Sequence, residues 1–137
     1  MPVLLVRHAS AGSRSEWEGD DRERPLDERG CEEASRLVER LADLPVARIL
    51  TSPYRRCVET VEPLAAARGL SAEPRPELGE DRQMVDGIAL VRELAGTDVV
   101  VCGHGGLQEA VRDAPRWKKG STFVVDAGLN VVDVRQA

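Results

Sequence analysis

The chain has 137 residues with 24 acidic and 19 basic side chains, so its formal net charge is −5. Hydrophobic residues make up 42% and charged residues 31%, which is typical of a folded globular chain and not of a disordered one. The acidic balance argues against binding to a nucleic acid polymer or to an anionic membrane, because the chain has no overall excess of positive charge. Any phosphate-binding site therefore has to be a local cluster of basic residues.

The first strand-to-helix unit occupies the N-terminal third of the chain. The apolar run at residues 3–6 predicts a short buried strand that ends at Arg7. Residues 9–24 are polar without apolar periodicity and predict a long loop. Apolar residues then recur at helical spacing over residues 31–44, which predicts an amphipathic helix with Asp27 as its N-cap and its charges facing solvent.

A second unit follows directly. Residues 46–50 predict a strand, residues 51–53 a break, and the apolar stripe over residues 54–65 a second helix that stops near Gly69. The proline-containing segment 70–80 has room for only a short extended piece.

The C-terminal half repeats the alternation and then changes it. Residues 84–94 predict a third helix, and residues 99–102 predict a buried strand that leads into a glycine-rich turn and a short helix. Residues 122–125 and 131–134 alternate around a turn signal and predict a hairpin at a sheet edge. The alternation as a whole predicts an α/β fold, a three-layer α/β/α sandwich with a mostly parallel central sheet and an antiparallel edge hairpin.

The chain carries no sign of further domains or of export. It shows no repeats and no linkers, so residues 1–137 are expected to form one domain. No apolar run approaches the ~20 residues of a membrane span, and the N-terminus lacks a cleavable leader. The three cysteines (Cys31, Cys57, Cys102) are widely spaced and sit in apolar patterns, which favours structural thiols in a reducing compartment. A soluble cytoplasmic protein is the expectation.

Three predicted strand ends carry unusual chemistry. Arg7-His8 follows the first strand, Ser52-Pro53-Tyr54-Arg55-Arg56 follows the second, and Gly103-His104-Gly105-Gly106 follows the buried strand near residue 100. Ligand sites of parallel sheets lie beyond the carboxyl ends of the strands, so these groups are expected to meet. Imidazoles with guanidiniums match phosphate oxygens, because each arginine offers planar bidentate donors and stays charged.

Other chemistries fit these residues less well. A zinc site lacks a third ligand of suitable spacing, and Arg7 would repel a cation, so no metal and no other cofactor are expected. A serine hydrolase is disfavoured because the chain has no G-x-S-x-G motif. A receiver-type regulatory domain needs acidic residues at the strand ends, where this chain has arginine and histidine. A non-catalytic module that binds phosphorylated ligands stays open as an alternative.

Four segments follow one another along the chain: Val6-Arg7-His8-Ala9, Arg24-Pro25-Leu26-Asp27-Glu28-Arg29-Gly30, Ser52-Pro53-Tyr54-Arg55-Arg56-Cys57-Val58-Glu59-Thr60 and Gly103-His104-Gly105-Gly106. Together and in this order they resemble the histidine phosphatase superfamily, also called phosphoglycerate mutase-like. The chain is most similar to the short bacterial phosphohistidine phosphatases, and its early loop and tail resemble phosphatase domains fused to Nudix hydrolases in actinobacteria. Two departures replace one small residue by another: Ala9 stands where most members have glycine, and Gly103 where many have serine.

The resemblance implies a role for each residue. His8 would be the nucleophile that forms a phosphohistidine intermediate, with its other ring nitrogen donating to a backbone carbonyl. Arg7, Arg56 and His104 would bind the phosphoryl oxygens and stabilise the transition state. Arg24 matches an arginine that short members place near the phosphate. Helical geometry turns Arg55 about 100° away from Arg56, so Arg55 is expected at the rim.

The sequence leaves alternatives for the general acid and for the substrate. A Leu-x-Glu spacing in the family favours Glu80 over Glu77 as the acid that protonates the leaving group. A chain of this size has no room for the insertions that cap larger members, and an uncapped pocket accepts a side chain displayed on a protein. The expected partner is therefore a phosphorylated protein, with protein phosphohistidine as the leading substrate and a small phosphorylated metabolite or nucleotide as the alternative.

Overall fold

The computed structural model describes residues 1–80 and 84–137. Six strands and three α-helices are present in that part of the chain. The strands are β1 (Val3–Arg7), β2 (Arg48–Thr51), β3 (Ala72–Pro74), β4 (Val99–Gly103), β5 (Thr122–Val125) and β6 (Val131–Arg135). The helices are α1 (Glu28–Arg40), α2 (Arg55–Arg68) and α3 (Val85–Glu93), with short 3-10 segments at Asp21–Glu23, Pro76–Leu78 and Gly105–Ala110.

The strands form one sheet in the order β3-β2-β4-β1-β5-β6. Strands β3, β2, β4 and β1 pair in parallel, whereas β5 and β6 form an antiparallel hairpin that pairs through β5 with β1. The predicted mixed sheet with an edge hairpin is confirmed. Strands β1 and β4 lie at the centre, where they are shielded on both sides by neighbouring strands.

Helices cover both faces of the sheet. On one face, Leu37 of α1 and Val61 of α2 pack with Leu4 and Val100 of the central strands. On the other face, Ile88 and Val91 of α3 pack against alternate residues of the same strands. The continuous apolar runs of β1 and β4 therefore face two cores at once, which explains why they show no polar alternation.

Helix boundaries follow local signals. The Asp27 carboxylate accepts a hydrogen bond of 2.7 Å from the Gly30 N–H and caps α1 as predicted. Gly69 ends α2 in the left-handed conformation with φ of 66°, also as predicted. A β-carbon at Gly30 would lie 1.9 Å from the Ser10 carbonyl oxygen, so the start of α1 packs directly on the loop that follows β1. The predicted short helix after His104 is a 3-10 segment, and β2 begins at Arg48, two residues later than expected.

Two expectations about α1 are wrong. Cys31 is exposed, while the acidic Glu33 is buried on the inner side of the helix. The reason is a polar contact between elements, because a Glu33 carboxylate oxygen accepts a hydrogen bond of 2.9 Å from the Ser10 N–H. Within the described residues, no helix has the length and apolar character needed to cross a membrane.

Candidate functional site

The two histidines of the chain meet at the carboxyl ends of the central strands. Strands β1 and β4 pair with Arg7 opposite Gly103, so His8 and His104 leave the sheet side by side. The His8 N–H donates to the Gly103 carbonyl oxygen at 3.0 Å. The centroids of the two imidazole rings lie 5.5 Å apart, with 63° between the ring planes. The expected juxtaposition of the strand ends that carry Arg7-His8 and Gly103-His104 is therefore observed.

His8 is held in one tautomer. Its Nδ1 lies 2.8 Å from the Ala9 carbonyl oxygen, which can only accept, so Nδ1 carries the ring proton and Nε2 carries the lone pair. Burial is the main cause that lowers the pKa of His8 to about 3, and the nearby His104, Arg56 and Arg7 contribute to this shift against the opposing Ala9 hydrogen bond. His8 is consequently neutral at physiological pH, with one ring nitrogen available as a nucleophile.

Ser52 orients His104. The Ser52 hydroxyl oxygen accepts from the Tyr54 N–H and lies 2.9 Å from Nε2 of His104. We assign the hydroxyl as donor to Nε2, which leaves Nδ1 of His104 as the N–H donor. The Tyr54 ring packs edge-on against the imidazole with centroids 4.8 Å apart. Tyr54, which the sequence placed on the inner stripe of α2, instead precedes that helix and lines the site.

Arg56 is buried and reaches into the site from the first turn of α2. Its guanidinium donates to the Asp21 carbonyl oxygen at 2.9 Å, to the Asp21 carboxylate at 3.2 Å and to the Glu80 carboxylate at 3.1 Å. Arg55 points away and is exposed, donating to Glu59 one turn along the helix. The structure thus separates the two neighbouring arginines in the way that the helical angle predicts.

Arg7 is half-buried beside the histidines. Its guanidinium donates to the Trp117 carbonyl oxygen at 2.7 Å and packs against Gly105. Burial lowers the pKa of Arg7, and the negative charge of Glu80 partly opposes that shift. The side chain is therefore fixed by the segment around Trp117 at a position where it acts on both His8 and Glu80.

Several polar atoms of this cluster are buried without a hydrogen-bond partner among the described residues. They are Nε of Arg7, Nε of Arg56 and Nδ1 of His104. A buried donor that lacks an acceptor costs about 1–3 kcal/mol. Three such positions around one neutral histidine are typical of a site that receives an anion with several acceptor oxygens.

Glu80 lies within the cluster. One carboxylate oxygen accepts from Arg56 and Arg14, and the other lies 3.6 Å from Nδ1 of His104. Its backbone carbonyl accepts from the Tyr54 hydroxyl at 3.0 Å, which fixes the end of the segment that carries it. Glu77, the alternative in the sequence, pairs with Arg75 instead.

Arg24 is buried but serves the loop that precedes it. Its guanidinium donates to the Ala11 carbonyl oxygen at 2.6 Å and to the Asp21 carboxylate at 3.0 Å. Asp21 links it to the site, since the other oxygen of that carboxylate binds Arg56. Partial burial alone would raise the pKa of Asp21, but Arg24, Arg56 and Arg14 outweigh it and hold the pKa below its usual value. Arg24 is thus connected to Arg56 through the shared carboxylate of Asp21.

Sequence reasoning missed two connections. Asp21 lies in the long loop predicted over residues 9–24, and a single sequence gives no signal that its carboxylate reaches Arg56 on α2. Thr60 was noted only as part of a motif, yet its hydroxyl oxygen accepts from the Ala9 N–H at 2.9 Å and donates to the Arg56 carbonyl oxygen at 2.7 Å. Thr60 therefore ties the segment carrying His8 to the helix turn carrying Arg56.

The donor set suits an anion. Among the described residues, no group of three or more histidine, cysteine, aspartate or glutamate side chains is arranged to hold a metal ion. At one departure from the family pattern, a β-carbon on Gly103 would overlap the end of the Leu107 side chain, so a larger residue there would require Leu107 to move.

Sequence comparison places the chain near known phosphatases. A family model of the histidine phosphatase superfamily (branch 1) matches residues 3–88. The 8-oxo-(d)GTP phosphatase of Mycolicibacterium smegmatis is 38% identical over 108 residues, which cover 75% of this chain and 34% of that protein. The chain thus spans about a third of that relative's length.

Comparison with solved structures confirms the fold. SixA from Agrobacterium tumefaciens superposes with a TM-score of 0.81 at 24% identity, covering 99% of this chain and 97% of that one. The protein histidine phosphatase SixA complexed with tungstate superposes with a TM-score of 0.75, also at 24% identity and with coverage of 99% and 97%. The predicted phosphoglycerate mutase-like architecture therefore extends over nearly the whole chain.

Proposed function

The chain belongs to the histidine phosphatase superfamily, and on this premise we propose that it hydrolyses phosphorylated substrates without a metal, through a phosphohistidine formed at Nε2 of His8. The observation that carries this proposal is the neutral, oriented imidazole of His8 surrounded by buried cationic and N–H groups. A neutral nitrogen lone pair is what an attack on phosphorus requires.

The reaction divides into two displacements. Nε2 of His8 attacks phosphorus, and the bond between phosphorus and the leaving atom breaks with its electron pair going to the leaving group. Water then attacks the phosphohistidine, the P–N bond breaks, the electron pair returns to Nε2, and orthophosphate is released. Arg7, Arg56 and His104 stabilise the charge on the phosphoryl oxygens in both steps.

Glu80 is the proposed proton donor to the leaving group. Its position beside Arg56 and His104 supports this role because an acid must lie close to the leaving atom. In the arrangement described above, the Glu80 carboxylate accepts from Arg56. An incoming phosphoryl group that takes over the Arg56 hydrogen bonds frees this carboxylate to carry a proton.

Two substrate classes fit the proposal. Phosphohistidine on a protein is supported by the likeness to the protein histidine phosphatase SixA and was the leading expectation from the sequence. A small phosphate compound such as a nucleotide is supported by the relative that is an 8-oxo-(d)GTP phosphatase. Both present a phosphoryl group to the same site, so the first test addresses the nucleophile before the substrate.

The test is hydrolysis of p-nitrophenyl phosphate by wild type, His8→Gln and Arg48→Gln. An activated leaving group needs little protonation, so turnover reports on His8 independently of Glu80. We expect turnover by wild type and by Arg48→Gln, whose substitution lies at the amino end of β2, and none by His8→Gln. An acid-labile phosphoryl adduct on His8, trapped in rapidly quenched wild-type protein, would support the intermediate directly. A folded wild type that binds phosphate without turnover would instead make the chain a binding module.

A further inference from the structure

A large basic groove lies next to the histidine site. Its volume is about 820 Å³, and twelve described residues line it, of which six are cationic: Arg7, Arg29, Arg36, Arg116, Lys118 and Lys119. The two lysines are the only ones in the chain. Such a concentration of positive charge is unexpected in a chain whose net charge is −5. We call this surface the basic groove.

The basic groove shares a residue with the site. Arg7 lines the groove, and its charge also acts on His8 and Glu80. The segment that carries the lysines is fixed to the strand that carries the nucleophile. The Gly120 N–H donates to the carbonyl oxygens of Arg7 and His8 at 3.1 and 3.0 Å, in a turn where Gly120 has φ of 79°. Lys118 and Lys119 therefore directly precede a residue that is hydrogen-bonded to the backbone of His8.

The positive charge of the groove is largely uncompensated. Arg36, Arg116, Lys118 and Lys119 form no ion pair with any residue among 1–80 and 84–137. The one acidic side chain among the described lining residues is Glu33. It is buried, accepts from the Ser10 N–H and lies 3.8 Å from Arg29. Strong positive potential is thus directed at whatever occupies the groove.

The groove offers charge but little apolar surface. The Trp117 ring, its only aromatic lining residue in the described part of the chain, is 3% exposed and stacks on Phe123 with ring centroids 5.3 Å apart. A nucleobase therefore finds no free aromatic face there. A cavity of this size matches a small ligand, since ligand pockets span about 300–1,000 Å³.

We propose that the basic groove binds the remaining phosphates of an oligophosphate substrate, a nucleoside di- or triphosphate or an inorganic polyphosphate, while its terminal phosphoryl group reacts at His8. This inference rests on the proposed function and names its substrate class. The bond between the terminal phosphorus and the bridging oxygen breaks, and its electron pair goes to that oxygen. The shortened phosphate chain leaves as an anion without needing a proton, because a phosphate group has a second pKa of about 6. Water then releases orthophosphate from His8.

The test compares substrates with one and with three phosphates. Wild type, Arg36→Gln/Lys119→Gln and the control Arg48→Gln/Arg92→Gln are assayed on p-nitrophenyl phosphate, inorganic tripolyphosphate, the triphosphates of adenosine and cytidine, and a protein that carries phosphohistidine. The control removes the same charge outside the groove. We expect the groove variant to lower kcat/KM for the triphosphates by about tenfold or more relative to kcat/KM for the aryl phosphate. The two nucleotides and tripolyphosphate should respond alike, and the control should leave all ratios unchanged.

The outcomes distinguish this inference from the function on which it rests. If the ratio of kcat/KM for the triphosphates to kcat/KM for the aryl phosphate is equal in wild type and the groove variant, and both are active, the proposed role of the basic groove is wrong. The proposed phosphatase activity is then still supported. A loss confined to a phosphohistidine-bearing protein assigns the groove to an acidic protein surface and also overturns it. If wild type hydrolyses none of these substrates, the proposed phosphatase function is wrong. Calorimetric binding of tripolyphosphate then decides the groove separately, because binding that weakens in the groove variant supports it and absent binding overturns it.

Discussion

The carbonyl oxygen of Ala9 lies 2.8 Å from Nδ1 of His8, and this contact decides which nitrogen of the ring can react. A carbonyl only accepts, so the proton is fixed on Nδ1. The Ala9 N–H in turn donates to the Thr60 hydroxyl oxygen, so Ala9 and its carbonyl group are held in place. The tautomer of the proposed nucleophile is thus set by backbone geometry and not by an acidic partner.

His8 is expected to stay neutral far into the acidic range. Burial, together with the neighbouring His104, Arg56 and Arg7, brings the pKa of His8 to about 3. Nuclear magnetic resonance of the ring nitrogens should show His8 protonated only on Nδ1 at every pH from 7 down to 4.5. The chain has two histidines, so a spectrum of His104→Gln assigns the signals. Titration of His8 near pH 6.5 would contradict the burial argument.

The same shift makes stability depend on pH. Unfolded His8 takes up a proton near pH 6.5, whereas folded His8 does so only near pH 3, so in between the unfolded state binds more protons. The contribution of neutral His8 is complete above pH 6.5 and is lost as the pH falls. Urea unfolding of wild type and His8→Gln should show wild type losing about 2 kcal/mol relative to the variant between pH 7 and pH 5. Parallel curves would show that His8 is more hydrated than described.

Arg56 and Arg55 provide a matched pair. Arg56→Ala removes a buried donor from the proposed transition-state site, and loss of one such preorganised donor costs about 10²–10³ in kcat. Arg55→Ala removes an exposed pair with Glu59, worth about 0.3–0.5 kcal/mol of stability, and should leave kcat within about twofold. Steady-state assays on p-nitrophenyl phosphate, with circular dichroism to verify folding, separate the two. Similar losses in both variants would refute the choice of Arg56.

Glu80→Gln should affect substrates according to their leaving groups. Proton donation contributes about 10²–10⁴ to rate, and only a poor leaving group needs it. We expect hydrolysis of an alkyl phosphate to fall by about 10² or more, while hydrolysis of p-nitrophenyl phosphate changes by less than about fivefold. Glu77→Gln is the control, since Glu77 pairs with Arg75 away from the histidines. A uniform loss across leaving groups would make Glu80 a positioning residue.

Chelators are expected to leave turnover unchanged. In the proposed mechanism, Arg7, Arg56 and His104 meet the charge of the phosphoryl group, so no step calls for a divalent cation. Activity should be equal before and after dialysis against EDTA, and added Mg²⁺ or Zn²⁺ should not raise it. Activity that EDTA abolishes and one metal restores would require a different mechanism.

The strand ends were predictable from sequence, whereas the links between them were not. The apolar runs of β1 and β4 fixed the positions of His8 and His104, and the Asp27 cap fixed the start of α1. Asp21 reaches Arg56 across 35 residues of chain, from a loop without periodicity, so no local pattern indicates the contact.

The burial of a single polar residue such as Glu33 could not be predicted from the hydrophobic pattern either. The inner position of Glu33 on α1 depends on a backbone N–H of Ser10, which lies 23 residues earlier. Helical spacing alone predicts that the apolar Cys31, and not the acidic Glu33, faces the core. The tertiary hydrogen bond overrides that preference, and the cysteine is left exposed.

The pairing of Arg7 with Gly103 sets the register of β1 against β4, and the arrangement of the two histidines depends on that register. Side chains alternate along a strand, so a shift of β1 against β4 by a single residue would turn one imidazole to the opposite side of the sheet. The pairing of apolar residues such as Leu5 and Val101 therefore determines the relative positions of His8 and His104. Transplanting this site into another protein would therefore require both neighbouring strands in the same register. A substitution of a buried apolar residue that changes this register would abolish activity although every polar residue of the site is retained.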